Sequence, residues 1–329
     1  MPVGSELKKR IAEALDFPPN PIALSGDDAL FQALVYANTH DPKYRDKFGE
    51  LRHAARHIRD AMPLALSIDN FVDHQDNDFV ELCAKLAIVS EILRAERNSR
   101  LHTDYPGSGR PPDFQGLEGT WYNSFWQLIT QDCRIQTLPA RLASIALVVF
   151  NYDRCVEHYL CHAIQTYYSI PEAQAAEMMQ HLRIYHPYGT VGTLPWQRPG
   201  RTISFGGEPH QTQLLQLANG IRTFTEGTDE KSSEISLIRA MVNDAPVIVF
   251  LGFAYHRMNL EVLFPDSDKK EWRPRQAYGT AKGISSSDIA AITGDVAFRM
   301  RTHIQEIRIQ PDLSCQALFQ EFWRTLSPT

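Results

Sequence analysis

Residues 145–150 (Ile-Ala-Leu-Val-Val-Phe) are an unbroken apolar run that stops at Asn151-Tyr152-Asp153. A short run that is apolar at every position reads as a strand buried on both faces, as in parallel sheets covered by helices. An amphipathic segment follows, from Arg154 to about Tyr168. A second run, 246–251, ends the same way at Gly252. Parallel strands need a crossover, usually a helix, so this alternation constrains the chain to an α/β fold with a parallel sheet. In open sheets of this kind ligands bind beyond the carboxyl ends of the strands. Asn151 and Asp153 are therefore candidates for chemistry. The plain alternative is that the two residues only cap the helix behind them.

The remaining pattern fills in around these two strands. Residues 182–185 read as a short strand leading into His186-Pro187-Tyr188-Gly189, and 275–280 as the last strand. Ser5 can cap a first helix carrying Leu7, Ile11, Ala14 and Leu15. Residues 43–62 carry Phe48, Leu51, Ala55 and Ile58 at helical spacing. A long helix from 76–78 to about 100 has the stripe Leu82, Leu86, Val89 and Leu93. Trp121, Tyr122, Phe125 and Trp126 open another helix and read as core. Further helices are expected at 170–180 with Pro171 in the first turn, at 210–219 and at 233–243. One more is capped by Ser285, Ser286 or Ser287, and a terminal helix carries Leu318, Phe322 and Leu326. Pro19-Asn20-Pro21, Pro106-Gly107-Ser108-Gly109 and the excursion 191–210 with Pro199 are turn-rich. The expected architecture is one domain over 1–329. It combines a Rossmann-like parallel sheet, about 140–329, with an inserted helical layer, about 26–135.

Composition removes several function classes. With 43% hydrophobic and 22% charged residues, the chain has the make-up of a soluble globular protein. Its net charge of −6 offers no general basic field, so nucleic acid is not expected as a partner. No apolar run approaches the roughly 20 residues of a membrane span, and residues 1–6 lack the apolar core of a signal peptide. A cytoplasmic protein is expected. The 5 cysteines are scattered, with no Cys-x-x-Cys pair, which argues against a disulfide framework or a four-cysteine zinc site. His158 and His162 are four apart beside Cys155 and Cys161, but no His-Glu-x-x-His motif accompanies them, so no metal is expected. His53 and His57, among Arg52, Arg56 and Arg59, read as a solvated face, and Lys269-Lys270 as surface. Neither a Gly-x-Ser-x-Gly nor a Walker sequence occurs.

Five pieces in order carry a resemblance. They are Ser67-Ile68-Asp69; Phe150-Asn151-Tyr152-Asp153; Tyr185-His186-Pro187-Tyr188-Gly189; Phe250-Leu251-Gly252-Phe253 with Asn259; and Tyr278-Gly279-Thr280-Ala281-Lys282-Gly283. Together they resemble the sirtuin-like (silent information regulator) family, in its bacterial antiphage-defence branch. The resemblance implies a Rossmann-like sheet that binds NAD or an NAD-derived nucleotide, and NAD hydrolysis to nicotinamide and ADP-ribose. It assigns the nicotinamide ribose to Asn151 and Asp153, the histidine role to His186, and the adenosine side to Gly252, Phe253 and Asn259. Gly189 marks the glycine after the histidine position, although Tyr188 directly precedes it here. Deacylase members carry a zinc ribbon; without Cys-x-x-Cys, hydrolysis is expected and zinc is not. Met1-Pro2-Val3-Gly4-Ser5-Glu6-Leu7 resembles the segment just after the family's Gly-Ala-Gly-x-Ser phosphate loop. Gly4 and Ser5 would then border the nucleotide, and the chain is expected to start one element late. The alternative is a non-catalytic nucleotide-sensing or scaffold member. A homo-oligomer or an activating protein partner is also implied.

Overall fold

The computed structural model describes residues 4–17, 26–103, 111–197, 200–222, 233–265 and 272–327. Pro19-Asn20-Pro21, Pro106 to Gly109, Pro199, Lys269-Lys270 and Met1-Pro2-Val3 lie outside the described residues.

In chain order the helices before the first strand are α1 (Gly4–Ala14), α2 (Asp28–His40), α3 (Phe48–Ala61), α4 (Ile68–Asp73), α5 (Asp78–Arg97), α6 (Trp121–Thr130) and α7 (Leu138–Ala143). Then come β1 (Ala146–Val148), α8 (Cys155–Tyr168), α9 (Glu172–Met179), β2 (Arg183–Tyr185), α10 (Gln211–Ala218) and α11 (Ser233–Asp244). The chain continues with β3 (Val247–Phe250), α12 (Arg257–Leu263), β4 (Gln276–Thr280), α13 (Ser286–Met300), a 3-10 turn (Ile304–Glu306) and β5 (Ile307–Gln310). It closes with α14 (Cys315–Glu321) and α15 (Trp323–Leu326). The class is mixed α/β, mostly helical, with small parallel sheets.

The chain divides into two compact units. The first takes Met1–Pro112, Asn151–His162 and Tyr188–Gly227; the second takes Asp113–Phe150, Ala163–Pro187 and Thr228–Thr329.

The first unit is built on α5. Asn77 caps this helix, its side-chain oxygen accepting from the N–H groups of Phe79 at 2.9 Å and Val80 at 3.2 Å. Asp78 and Glu81 in the first turn and Arg94 and Arg97 in the last complement the helix dipole. Leu86, Val89 and Leu93 of the stripe are buried and Leu82 only half-buried, while Cys83, Ala84, Ala87, Ile88 and Ile92 are buried as well. A helix buried on most sides is a central core helix, and α1, α2, α3, α4 and α10 all pack on it.

The second unit holds both sheets. β1 pairs in parallel with β2, Val148 opposite Tyr185. β3, β4 and β5 form a parallel sheet in that order, with Phe250 opposite Gly279 and Thr280 opposite Gln310. Ile235 and Ile238 of α11, Val262 of α12, Val296 and Met300 of α13, and Phe250, Ala277 and Ile309 of the strands share one core. Val148, Phe150 and Tyr185 pack against that core.

Several expectations need correction. The strands at 145–150 and 246–251 are shorter than their apolar runs, and β1 is only half-buried. The strand at 275–280 is not the last: Ile307-Arg308-Ile309-Gln310 adds β5, alternating buried and exposed along the sheet edge. The terminal helix breaks at Phe322 into α14 and α15. Ser5 lies inside α1 rather than at its cap, and Pro171 is the N-cap of α9 rather than a first-turn residue. Ser285 is the cap of α13, accepting from the Asp288 N–H at 3.2 Å.

Candidate functional site

The turn at Asn151 to Arg154 belongs to the first unit and is locked from three sides. Asn151 is exposed, whereas Tyr152, Asp153 and Arg154 are buried. Asp153 Oδ1 accepts from the Cys155 N–H at 3.1 Å, so this carboxylate caps the start of α8. The capping role of Asp153 is therefore real. The second carboxylate oxygen takes no part in that bond.

Arg154 is 1% exposed. Its backbone N–H and Nε donate to Glu96 Oε1 at 3.0 and 3.1 Å, and Nη2 pairs with Glu96 Oε2. Nη1 donates to the Ile203 carbonyl at 2.7 Å and Nη2 to that of Ser204 at 3.2 Å. Glu96 Oε2 also accepts from the Gly206 N–H at 3.0 Å. One buried ion pair thus fastens the 203–206 segment to the Asn-x-Asp turn. Arg97 adds bonds from Nε to the Gly206 carbonyl at 2.8 Å and from Nη2 to that of Gly207 at 3.2 Å. The excursion expected at 191–210 is pinned along this stretch.

Tyr152 donates its hydroxyl to Asp69. Burial, then the Asp69 charge, holds the Tyr152 phenol well above its usual range. Burial likewise pushes the enclosed Asp69 carboxyl up, against the Tyr152 bond, which pulls it down. Tyr188 is buried, and its phenol is raised by that burial and by Asp69 and Asp73. A tyrosine ionises near 10 even in water, so the Tyr188 phenol is neutral near pH 7. Gly189 has φ +77°, and a Cβ there would run into the Gly220 carbonyl oxygen. It bridges to Ile221, and that close approach alone accounts for a glycine.

His158 is held by packing and by one polar contact. Its ring stacks on Phe205 at 4.0 Å with an angle of 3°, and Nε2 lies 3.1 Å from the Leu101 carbonyl. Burial, and next the neighbouring His162, pushes the His158 imidazole down to about 3. Among the described residues no group of three or more His, Cys, Asp or Glu could hold a metal ion. His53 and His57 are exposed on α3.

The second unit contains His186, buried one residue past β2. It also contains a knot at the carboxyl ends of β3 and β4. Gly252 is exposed with φ +59°, and its N–H donates to Thr280 Oγ1 at 2.9 Å. The Tyr255 hydroxyl donates to the Thr280 carbonyl at 3.2 Å. It occupies the space a Cβ on Gly279 would need. Phe253 packs among Phe150, Phe250 and Tyr255 at ring distances of 5.2, 5.3 and 5.2 Å. Cys315 borders the same knot, its thiol pushed up by burial. Asn259 is a half-buried residue of α12. Gly4 and Ser5 are exposed in the first turn of α1.

Asn151 and Asp153 thus belong to one unit, His186, Gly252, Phe253 and Asn259 to the other. Sequence reasoning missed Glu96, Tyr152 and the Thr280–Tyr255 pairing. Glu96 did leave a signal: it continues the stripe Leu82, Leu86, Val89, Leu93 at the next three-residue step, an acid on an apolar face. No family model matches the chain, and no curated protein or solved structure is found to be similar to it. Among the described residues no helix is long and apolar enough to cross a membrane.

Proposed function

We propose that the chain is a sirtuin-like, cytoplasmic NAD-binding protein with a Rossmann-like sheet, and that it hydrolyses NAD to nicotinamide and ADP-ribose in antiphage defence. The observation that carries this reading is the pairing of β1 with β2. They run parallel with Val148 opposite Tyr185, and folds with such strands place ligands beyond their carboxyl ends.

NAD would supply the scissile bond: water adds across the N-glycosidic link and nicotinamide leaves. The Asn151 amide, exposed and uncharged, suits a ribose hydroxyl or the water. Asp153 orients it through the oxygen not used in capping α8. His186 is the proton acceptor, since the raised Tyr188 phenol is unsuited to that role. Gly252 fits the adenosine side, because an exposed glycine at a strand end lets a ligand approach the backbone. Phe253, Asn259 and Gly189, with Gly4 and Ser5, complete the assignment.

Nicotinamide release by the purified chain, followed by mass spectrometry, tests the reading. The expected result is release that disappears in Asn151→Ala with NAD still bound by calorimetry. A chain that neither releases nicotinamide nor binds NAD would be a scaffold member, and the enzymatic reading would fall.

A further inference from the structure

Tyr152 stands between Asn151 and Asp153, and its side chain is buried where that of Asn151 is exposed. Its hydroxyl donates to the Asp69 carboxylate. A hydrogen bond to an ionised group is roughly twice as strong as a neutral one. The phenol keeps its proton, because burial and then the Asp69 charge raise it, so the tyrosine is the donor. Asp69 is itself firmly placed. It lies in the first turn of α4, where Ser67 Oγ caps the helix by accepting from the Asn70 N–H at 3.1 Å. Ile68 and Val72 of the same helix are buried, and α4 packs on α5. The carboxylate that receives Tyr152 is thus carried by the core of the first unit. The Tyr152 carbonyl accepts from the Val191 N–H at 3.1 Å, so this residue is held at its hydroxyl and at its backbone. All of these residues belong to the first unit.

The turn has other anchors. The Glu96–Arg154 pair and the Asp153 cap of α8 fix residues 153–155. Tyr152 is the anchor next to Asn151. A tyrosine side chain has only two torsions and a rigid ring. Holding its far end therefore sets the direction of the backbone at 152, and with it where the neighbouring amide points. We propose that Asp69 is a positioning residue: by holding the Tyr152 hydroxyl it sets the pose of the Asn151 side chain. The inference rests on the reading that Asn151 meets the ribose hydroxyl or the water. Asp69 touches no reacting atom and acts only through the tyrosine. A misplacement of about 1 Å can cost about a hundredfold in rate, so a loosened arm shows in turnover.

Three substitutions test this with NAD as the probe. Tyr152→Phe removes the hydroxyl and keeps the ring, Asp69→Ala removes the acceptor, and Asp69→Asn keeps an acceptor oxygen. Tyr152→Phe and Asp69→Ala should each lower kcat about tenfold to a hundredfold, with KM for NAD changed less than about twofold. Asp69→Asn should lose less than Asp69→Ala. The double variant of Tyr152→Phe and Asp69→Ala should lose no more than the worse single one, since the two groups act as one unit. Amide exchange by mass spectrometry over 150–154 should quicken in both single variants. A residue that only supports the fold would lower the urea midpoint and leave kcat per folded molecule unchanged. If Asp69→Ala loses its native circular dichroism, Tyr152→Phe decides. Equal kcat in the parent and Tyr152→Phe overturns the proposal, and so do losses that add in the double variant. A parent chain that releases no nicotinamide overturns the enzymatic reading instead. The arm is then decided by exchange: quickened exchange over 150–154 upholds it, and unchanged exchange overturns it.

Discussion

Arg154 and Glu96 are two charges removed from water, a state tolerated only with full hydrogen bonding. Here both carboxylate oxygens and the guanidinium are engaged. Glu96→Ala would strand the guanidinium in the core. The expected loss is about 3–5 kcal/mol in urea denaturation, with faster amide exchange over 203–207, which Glu96 and Arg97 hold. His158 gives a second test. Its folded-state value of about 3 lies below the roughly 6.5 of an unfolded chain. Native His158 is therefore neutral, and its contribution is complete above about pH 6.5 and lost as pH falls from there toward 3. His158→Phe keeps a ring against Phe205 and removes the titration. The variant's urea midpoint should fall less steeply than the parent's between neutral pH and the onset of acid unfolding. An equal slope in both would show that His158 does not carry this dependence. Asn151 and Asp153 could be picked out because a polar pair interrupts an apolar run. Tyr152 could not, because nothing in the linear order says that its hydroxyl meets Asp69.

The elements whose sequence signal is long and periodic are the ones read well. α5 announces itself through about three turns of apolar stripe and the Asn77 cap, and Asn77→Ala should cost about 1 kcal/mol in thermal or urea unfolding. The strands were legible as existing but not as to length or burial, because an apolar run marks hydrophobic surroundings rather than ladder hydrogen bonds. β5 went unread because Ile307 and Ile309 give only two apolar positions. That alternation fits an edge strand but is too short to stand out. The knot between β3 and β4 is an element-scale device, since Thr280 of one strand holds the chain leaving the other. Thr280→Val would remove the acceptor for the Gly252 N–H. A loss of about 1 kcal/mol is expected, with faster exchange of the Gly252 amide. Unchanged exchange would mean that the strand end is held by other contacts.

Both units are assembled from three separated stretches of chain. This follows from no local property of the sequence. The expected boundary between a helical module and a sheet was drawn from the order of elements, and order along the chain is silent about which segments pack together. Residues 1–112 contain Glu96 but neither Arg154 nor Gly206. Expressed alone, they should show no cooperative thermal transition; a sharp one would mean that α1 to α5 are self-sufficient. The interleaving also bears on the inheritance of such a gene. A crossover with another gene anywhere between codons 113 and 227 would divide at least one core between two parents. Exchange of intact cassettes is therefore closed to the middle of this chain. Its variation there must accumulate by substitution, each change tested against partners encoded far away in the gene.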